Sequence, residues 1–89
     1  MDKSSTAAIF KGLGHPVRLC IYMKLLHAGE YGLTVGELHE GISVSGSTLS
    51  QHVTRLTASG LIRQQREGKS IRCLARKETL HNAIASLES

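Results

Sequence analysis

Residues 45–75 read SGSTLSQHVTRLTASG and then LIRQQREGKSIRCLA. In the first stretch Leu49, Val53 and Leu56 recur at spacings of four and three, which places them on one stripe of a helix that must be buried. The opposite face carries Ser47, Gln51 and Thr54, with Ser50 and Arg55 beside them. Short hydroxyls approach base edges closely, an amide can bond adenine in a bidentate way, and a guanidinium can reach guanine or phosphate. Ser45 supplies an N-cap acceptor and Gly60 tolerates the left-handed conformation that stops a helix, so this helix is bounded at both ends.

Downstream, Leu61 to Gln65 and Ser70 to Ala75 read as two strands joined by Arg66-Glu67-Gly68-Lys69, with Gly68 supplying a positive φ for the turn. The tip projects Arg66 and Lys69, and Arg63 and Arg72 stand at its base, positions from which phosphates or a minor groove can be reached. Upstream, Thr34-Val35-Gly36-Glu37 has the capping-box pattern, which predicts a short helix from Val35 to His39 or Glu40, closed by Gly41. Ile42-Ser43-Val44 then makes a tight connection, the spacing of a helix-turn-helix. The expected fold class is mainly α with a small β-hairpin: a winged helix-turn-helix of about five helices and a two-stranded wing, in one domain over residues 1–89.

Charge placement agrees. The 89-residue chain carries a net charge of +4, but residues 1–44 hold four Lys or Arg against four Asp or Glu, whereas residues 45–77 hold seven against one. The basic excess lies on the half that carries the polar helix and wing, as an electrostatic footprint for nucleic acid should. No glycine-rich phosphate loop, HExxH motif or activated Ser or Cys nucleophile is present, which argues against an enzyme. The absence of a leader-like N-terminus or a long apolar run leads us to expect a cytoplasmic protein with no membrane contact.

These blocks resemble the ArsR/SmtB family of winged-helix repressors over nearly the whole chain. The resemblance runs from Ile9-Phe10-Lys11-Gly12-Leu13-Gly14-His15-Pro16-Val17-Arg18-Leu19 through Gly32-Leu33-Thr34-Val35-Gly36-Glu37-Leu38 and Ser47-Thr48-Leu49-Ser50-Gln51-His52-Val53. It continues in Ser59-Gly60-Leu61-Ile62 and Arg66-Glu67-Gly68-Lys69. His15 stands where the family usually has Asp, and Val53 where it usually has Leu. The resemblance implies a DNA-binding transcriptional repressor with double-stranded DNA as partner and an inverted-repeat operator. Direct readout would rest on Ser47, Thr48, Ser50 and Gln51, with Thr54 on the same face. Arg55, Arg63, Arg66, Lys69 and Arg72 would contact phosphate.

Family members pair through their first and last helices, so the resemblance also implies a homodimer. Leu80, Ala83, Ile84 and Leu87 form a narrow apolar stripe on the last helix, and Ile9, Phe10 and Leu13 would supply the first. Between them, VRLCIYMKLLHA after Pro16 is apolar on most sides and reads as a central buried helix.

The signal that such a repressor answers is harder to read. Metal-sensing relatives carry a cysteine pair in the first helix of the helix-turn-helix, where this chain has Glu37-Leu38-His39-Glu40, so no soft-metal site and no cofactor is expected. Glu78 and His81 lie one turn apart on the last helix with Glu88 further on, a set that could ligate a harder metal across a dimer, although surface Glu and His occur on most amphipathic helices. Some relatives use two cysteines as a thiol switch, and Cys20 and Cys73 are the residues that could serve here. Cys20, among Leu19, Ile21 and Met23, reads as a buried small hydrophobe. His27, His39 and His52 form no cluster. The alternatives to a signal-released repressor are therefore a thiol-responsive repressor and a winged-helix module that binds proteins and no DNA.

Overall fold

Pro16 starts the central helix α2 (Pro16–Ala28), its fixed φ suiting the first turn, and the Val17 N–H donates to the His15 Nδ1 at 3.1 Å as the cap. Before it comes α1 (Lys3–Leu13), which Asp2 caps by accepting the Ser5 N–H at 2.7 Å. The computed structural model describes residues 1–89. After α2 the chain passes a 3-10 turn (Gly29–Tyr31), β1 (Leu33–Thr34), α3 (Val35–Glu40), α4 (Gly46–Ala58), β2 (Ile62–Glu67), β3 (Ser70–Ala75) and α5 (Lys77–Leu87). This is the winged helix-turn-helix, with its five helices in the expected order.

The sheet has one more strand than the sequence suggests. Its order is β1-β3-β2, all antiparallel, with Leu33 opposite Cys73 and Ile62 opposite Ala75. β1 is two residues long and carries no alternation of its own, so only its pairing with β3 reveals it. β2 also begins one residue later than expected and runs on to Glu67, which shortens the hairpin loop to Gly68-Lys69. Gly68 has φ +61°, as a two-residue turn requires. Gly32, with φ +59°, leads into β1 so close to β3 that a Cβ would overlap the Cys73 carbonyl oxygen.

One core ties these elements together. Ile21, Tyr22 and Leu25 of α2 meet Leu38 of α3, the Leu49-Val53-Leu56 stripe of α4, and Leu61, Ile62 and Cys73 of the wing's base. Each such side chain contributes on the order of 1.5–3 kcal/mol by leaving water. Ile9 of α1 and Ala83 of α5 are buried in the same core, at 3% and 0% exposure. Both were expected at a dimer interface. The structure assigns them to the inside of the protomer, because α1 and α5 pack on each other and Thr6 Oγ1 donates to Ser86 Oγ at 3.0 Å across that contact. Phe10, Ile84 and Leu87 remain exposed beside them, and Leu13 and Leu80 are half-buried against the core.

Candidate nucleic-acid interface

The helix-turn-helix is fastened by short-range bonds that the sequence announces. Thr34 Oγ1 accepts the Glu37 N–H at 3.1 Å and Glu37 Oε1 accepts the Thr34 N–H at 2.9 Å, completing the capping box of α3. Those bonds to the charged form hold the Glu37 carboxyl below its usual range. Across the turn, His39 Nε2 donates to the Val44 carbonyl at 2.9 Å, a partner that obliges that nitrogen to carry the proton. Ser45 then caps α4, accepting the Thr48 N–H at 3.2 Å and donating to Thr48 Oγ1 at 2.9 Å. The orientation of α4 relative to α3 is thus fixed by residues 34–48.

On α4 the burial follows the two-faced pattern. Leu49, Val53 and Leu56 are buried, while Ser47, Ser50, Gln51, Thr54 and Arg55 are exposed. Ser50, Gln51, Thr54 and Arg55 alone line a shallow depression on the outer face. Thr48 is half-buried, and its hydroxyl is engaged by the cap.

The two flanks of α4 are held differently. On one side Thr57 Oγ1 accepts from Gln64 Nε2 of β2 at 2.9 Å, which docks the wing against the helix. On the other side the Arg18 guanidinium of α2 donates from Nη1 to His52 Nδ1 at 3.2 Å and from Nε to the Gly12 carbonyl at 2.7 Å. The His52 ring lies 4.5 Å from that of His15, centroid to centroid. Burial, and then the charges of His15, Arg18 and Arg55, push the His52 pKa down from its usual value. Sequence spacing shows no cluster at His52, because its partners His15 and Arg18 lie in another block more than thirty residues away.

Among the wing cations, Arg63, Arg66 and Lys69 are exposed and have no carboxylate within ion-pair distance. Arg72 differs. Its Nε donates to Glu67 Oε1 and Oε2 at 2.9 and 3.0 Å, and its Nη1 donates to the Tyr31 carbonyl at 2.8 Å. Nε and Nη1 of its guanidinium thereby brace β3 to β2 and to the turn before β1, while Nη2 has no partner within the protein.

The cysteines are separate in environment as well as in sequence. Cys20 is half-exposed on α2 and so departs from the buried setting expected of it, because it lies on the flank of the helix away from Ile21, Tyr22 and Leu25. Cys73 is the buried one, on the middle strand, and burial pushes its thiol pKa up, which disfavours the reactive thiolate. No three His, Cys, Asp or Glu side chains come together as a metal-binding group, and no helix is long and apolar enough to cross a membrane.

Comparison with known proteins places this geometry in a family. Residues 13–65 match the model of a helix-turn-helix domain family. The chain is 36% identical over 83 residues to the HTH-type transcriptional regulator YgaV of Escherichia coli K12, covering 93% of this chain and 82% of that protein. It is 38% identical over 68 residues to the biofilm growth-associated repressor of Xylella fastidiosa Temecula1, where the match covers 76% of this chain and 57% of the repressor's length. The crystal structure of an ArsR family transcriptional regulator superposes with a TM-score of 0.87 at 25% identity, over 99% of this chain and 88% of that one. The chain belongs to the ArsR/SmtB family of winged helix-turn-helix transcriptional regulators.

Proposed function

We propose that the protein is a homodimeric repressor, cytoplasmic and without enzymatic activity, that occupies an inverted-repeat operator on double-stranded DNA until a signal releases it. The observation that carries this reading is the outer face of α4. A helix whose apolar stripe is sealed in the core presents Ser47, Ser50, Gln51, Thr54 and Arg55 to solvent, beside a wing whose exposed cations lack carboxylate partners. Such a face fits the major groove, with the hydroxyls and the Gln51 amide on base edges and Arg55, Arg63, Arg66 and Lys69 on phosphate. Thr48 contributes by ordering the N-terminal turn that enters the groove, and Arg72 by stiffening the wing.

Exposed apolar side chains support the dimer. Phe10 of α1 and Ile84 and Leu87 of α5 are exposed on the two packed terminal helices, and Leu13 and Leu80 are half-buried against the core. A twofold pairing through these helices would set two copies of α4 about one DNA turn apart. The similarity to a protein named as a biofilm growth-associated repressor supports repression as the regulatory sense.

The roles separate by substitution. Gln51→Ala should erode discrimination between operator and random duplex, whereas Lys69→Ala should weaken both alike and flatten the salt dependence. Competition binding with both duplexes reads the difference. Equal losses on operator and random DNA for both variants would contradict the assignment.

A further inference from the structure

The flank of α4 opposite the wing holds a second concentration of positive charge. A cleft between α1 and α4 is lined by Ala8, Lys11, Gly12, Arg18, Arg55, Ala58 and Ser59, with three cations and no acid. The protein's two ion pairs join Arg72 to Glu67 and Arg76 to Glu78, so none of these three has a carboxylate partner. Arg55 also borders the shallow depression on the outer face of α4, which makes the cleft continuous with the reading surface.

The cleft is built rather than incidental. Arg18 is fixed by its bonds to the Gly12 carbonyl and to His52 Nδ1, so its side chain is already ordered before any ligand arrives. Those bonds use one N–H each of Nε and Nη1, and the Lys11 carbonyl lies 3.5 Å from Nη2, which leaves guanidinium donors for an anion. Gly12 permits the close approach of α1: a Cβ there would come within 3.2 Å of Leu61 Cδ1 and 3.4 Å of Ser59 Oγ. Uncompensated cations around a cleft of small and hydroxyl-bearing residues match a phosphodiester oxygen in charge and in donor type.

We infer that the cleft between α1 and α4, rimmed by Lys11, Arg18 and Arg55, receives a phosphate of the DNA backbone on the side of the half-site away from the wing. α4 is then clamped by phosphate contacts on both flanks, and α1 touches the operator directly. This inference rests on the DNA-binding reading above. Lys11 supplies a mobile charge, and Arg18 an ordered one whose bonds to Gly12 and His52 link the position of α1 to that of α4.

Lys11→Gln tests it, because Lys11 is exposed and the substitution keeps a good helix former. Binding of wild type and variant to one duplex is measured across a salt series, with phosphate-ethylation interference on the same DNA and sedimentation to follow the dimer. The expected result is a plot of log affinity against log salt that is shallower by about 0.9 for one lost contact. It should come with loss of one interfering phosphate on the flank away from the wing and an unchanged dimer. An unchanged slope and interference pattern, or a dimer that dissociates on substitution, would overturn the inference while leaving the DNA-binding reading intact. Wild-type protein that binds no duplex would overturn both. A variant that carries Lys69→Ala provides the internal reference, since it should lose a phosphate on the wing side instead.

Discussion

Arg72 on β3 grips both carboxylate oxygens of Glu67 on β2, at 2.9 and 3.0 Å, across a diagonal of the hairpin. The pair is partly exposed, at 28% and 40%, so its direct contribution to stability is modest, on the order of 1 kcal/mol or less. Its geometric effect is larger, because the same guanidinium holds the Tyr31 carbonyl. Arg72→Ala is expected to leave the salt slope of DNA binding nearly unchanged while lowering affinity through a looser wing. Lys69→Ala should lower affinity too, but with the slope reduced by about 0.9. Salt titrations of both variants decide between a strut and a phosphate contact for each residue.

The terminal helices divide into an inner and an outer set. Ile9 is buried, whereas Leu87 is 67% exposed and Ile84 42%. Ile9→Ala should therefore cost about 2–5 kcal/mol of fold stability by opening a cavity. Leu87→Glu or Ile84→Glu should leave the protomer folded and shift it from dimer to monomer. Sedimentation velocity with thermal melting separates the outcomes, and a folded, fully dimeric Ile84→Glu, Leu87→Glu double variant would place the interface elsewhere.

Two glycines with nearly the same positive φ should respond unequally. Gly68 has φ +61° with nothing near its missing Cβ, so Gly68→Ala should cost only the left-handed penalty of about 1–2 kcal/mol. Gly32 has φ +59° and faces the Cys73 carbonyl, so Gly32→Ala must also push β1 from β3, and a loss above about 4 kcal/mol is expected. Denaturant midpoints give the comparison, and similar losses would show that β1 can move aside.

His52 gives the fold a defined response to acid. Burial, followed by His15, Arg18 and Arg55, lowers its folded-state pKa below the usual 6.5. The unfolded chain therefore takes up a proton before the folded one does. The contribution of His52 is complete above about pH 6.5 and is lost as pH falls from there toward the folded-state value. His52→Gln should flatten the melting temperature over that window, and an NMR titration of the imidazole should give a midpoint below that of a denatured reference. A midpoint at or above the reference would contradict the packing described.

What could be read from the sequence was local. The Thr34–Glu37 box, the Ser45 cap, the α4 stripe and the Gly68 turn all lie within a few residues of their partners, so spacing alone reveals them. β1 is not legible because two residues cannot show a period, and the struts from Arg72 to Glu67 and the Tyr31 carbonyl are hidden because they form only after the hairpin closes. Ile9 and Ala83 belong to the same apolar stripes as Phe10 and Ile84. Periodicity finds a stripe, but which of its edges faces the protomer depends on how α1 crosses α5. The bonds that hold the far flank of α4, from Arg18 to His52 and to Gly12, join segments whose pairing no spacing rule contains.

Sequence-specific DNA binding is best measured by fluorescence anisotropy of the purified protein against DNA from its own upstream region and a scrambled duplex, across a salt series. Tighter binding to the upstream DNA is expected, weakening steeply with salt on both duplexes as counterions are no longer released to advantage. Absence of binding to either duplex at low salt would contradict it.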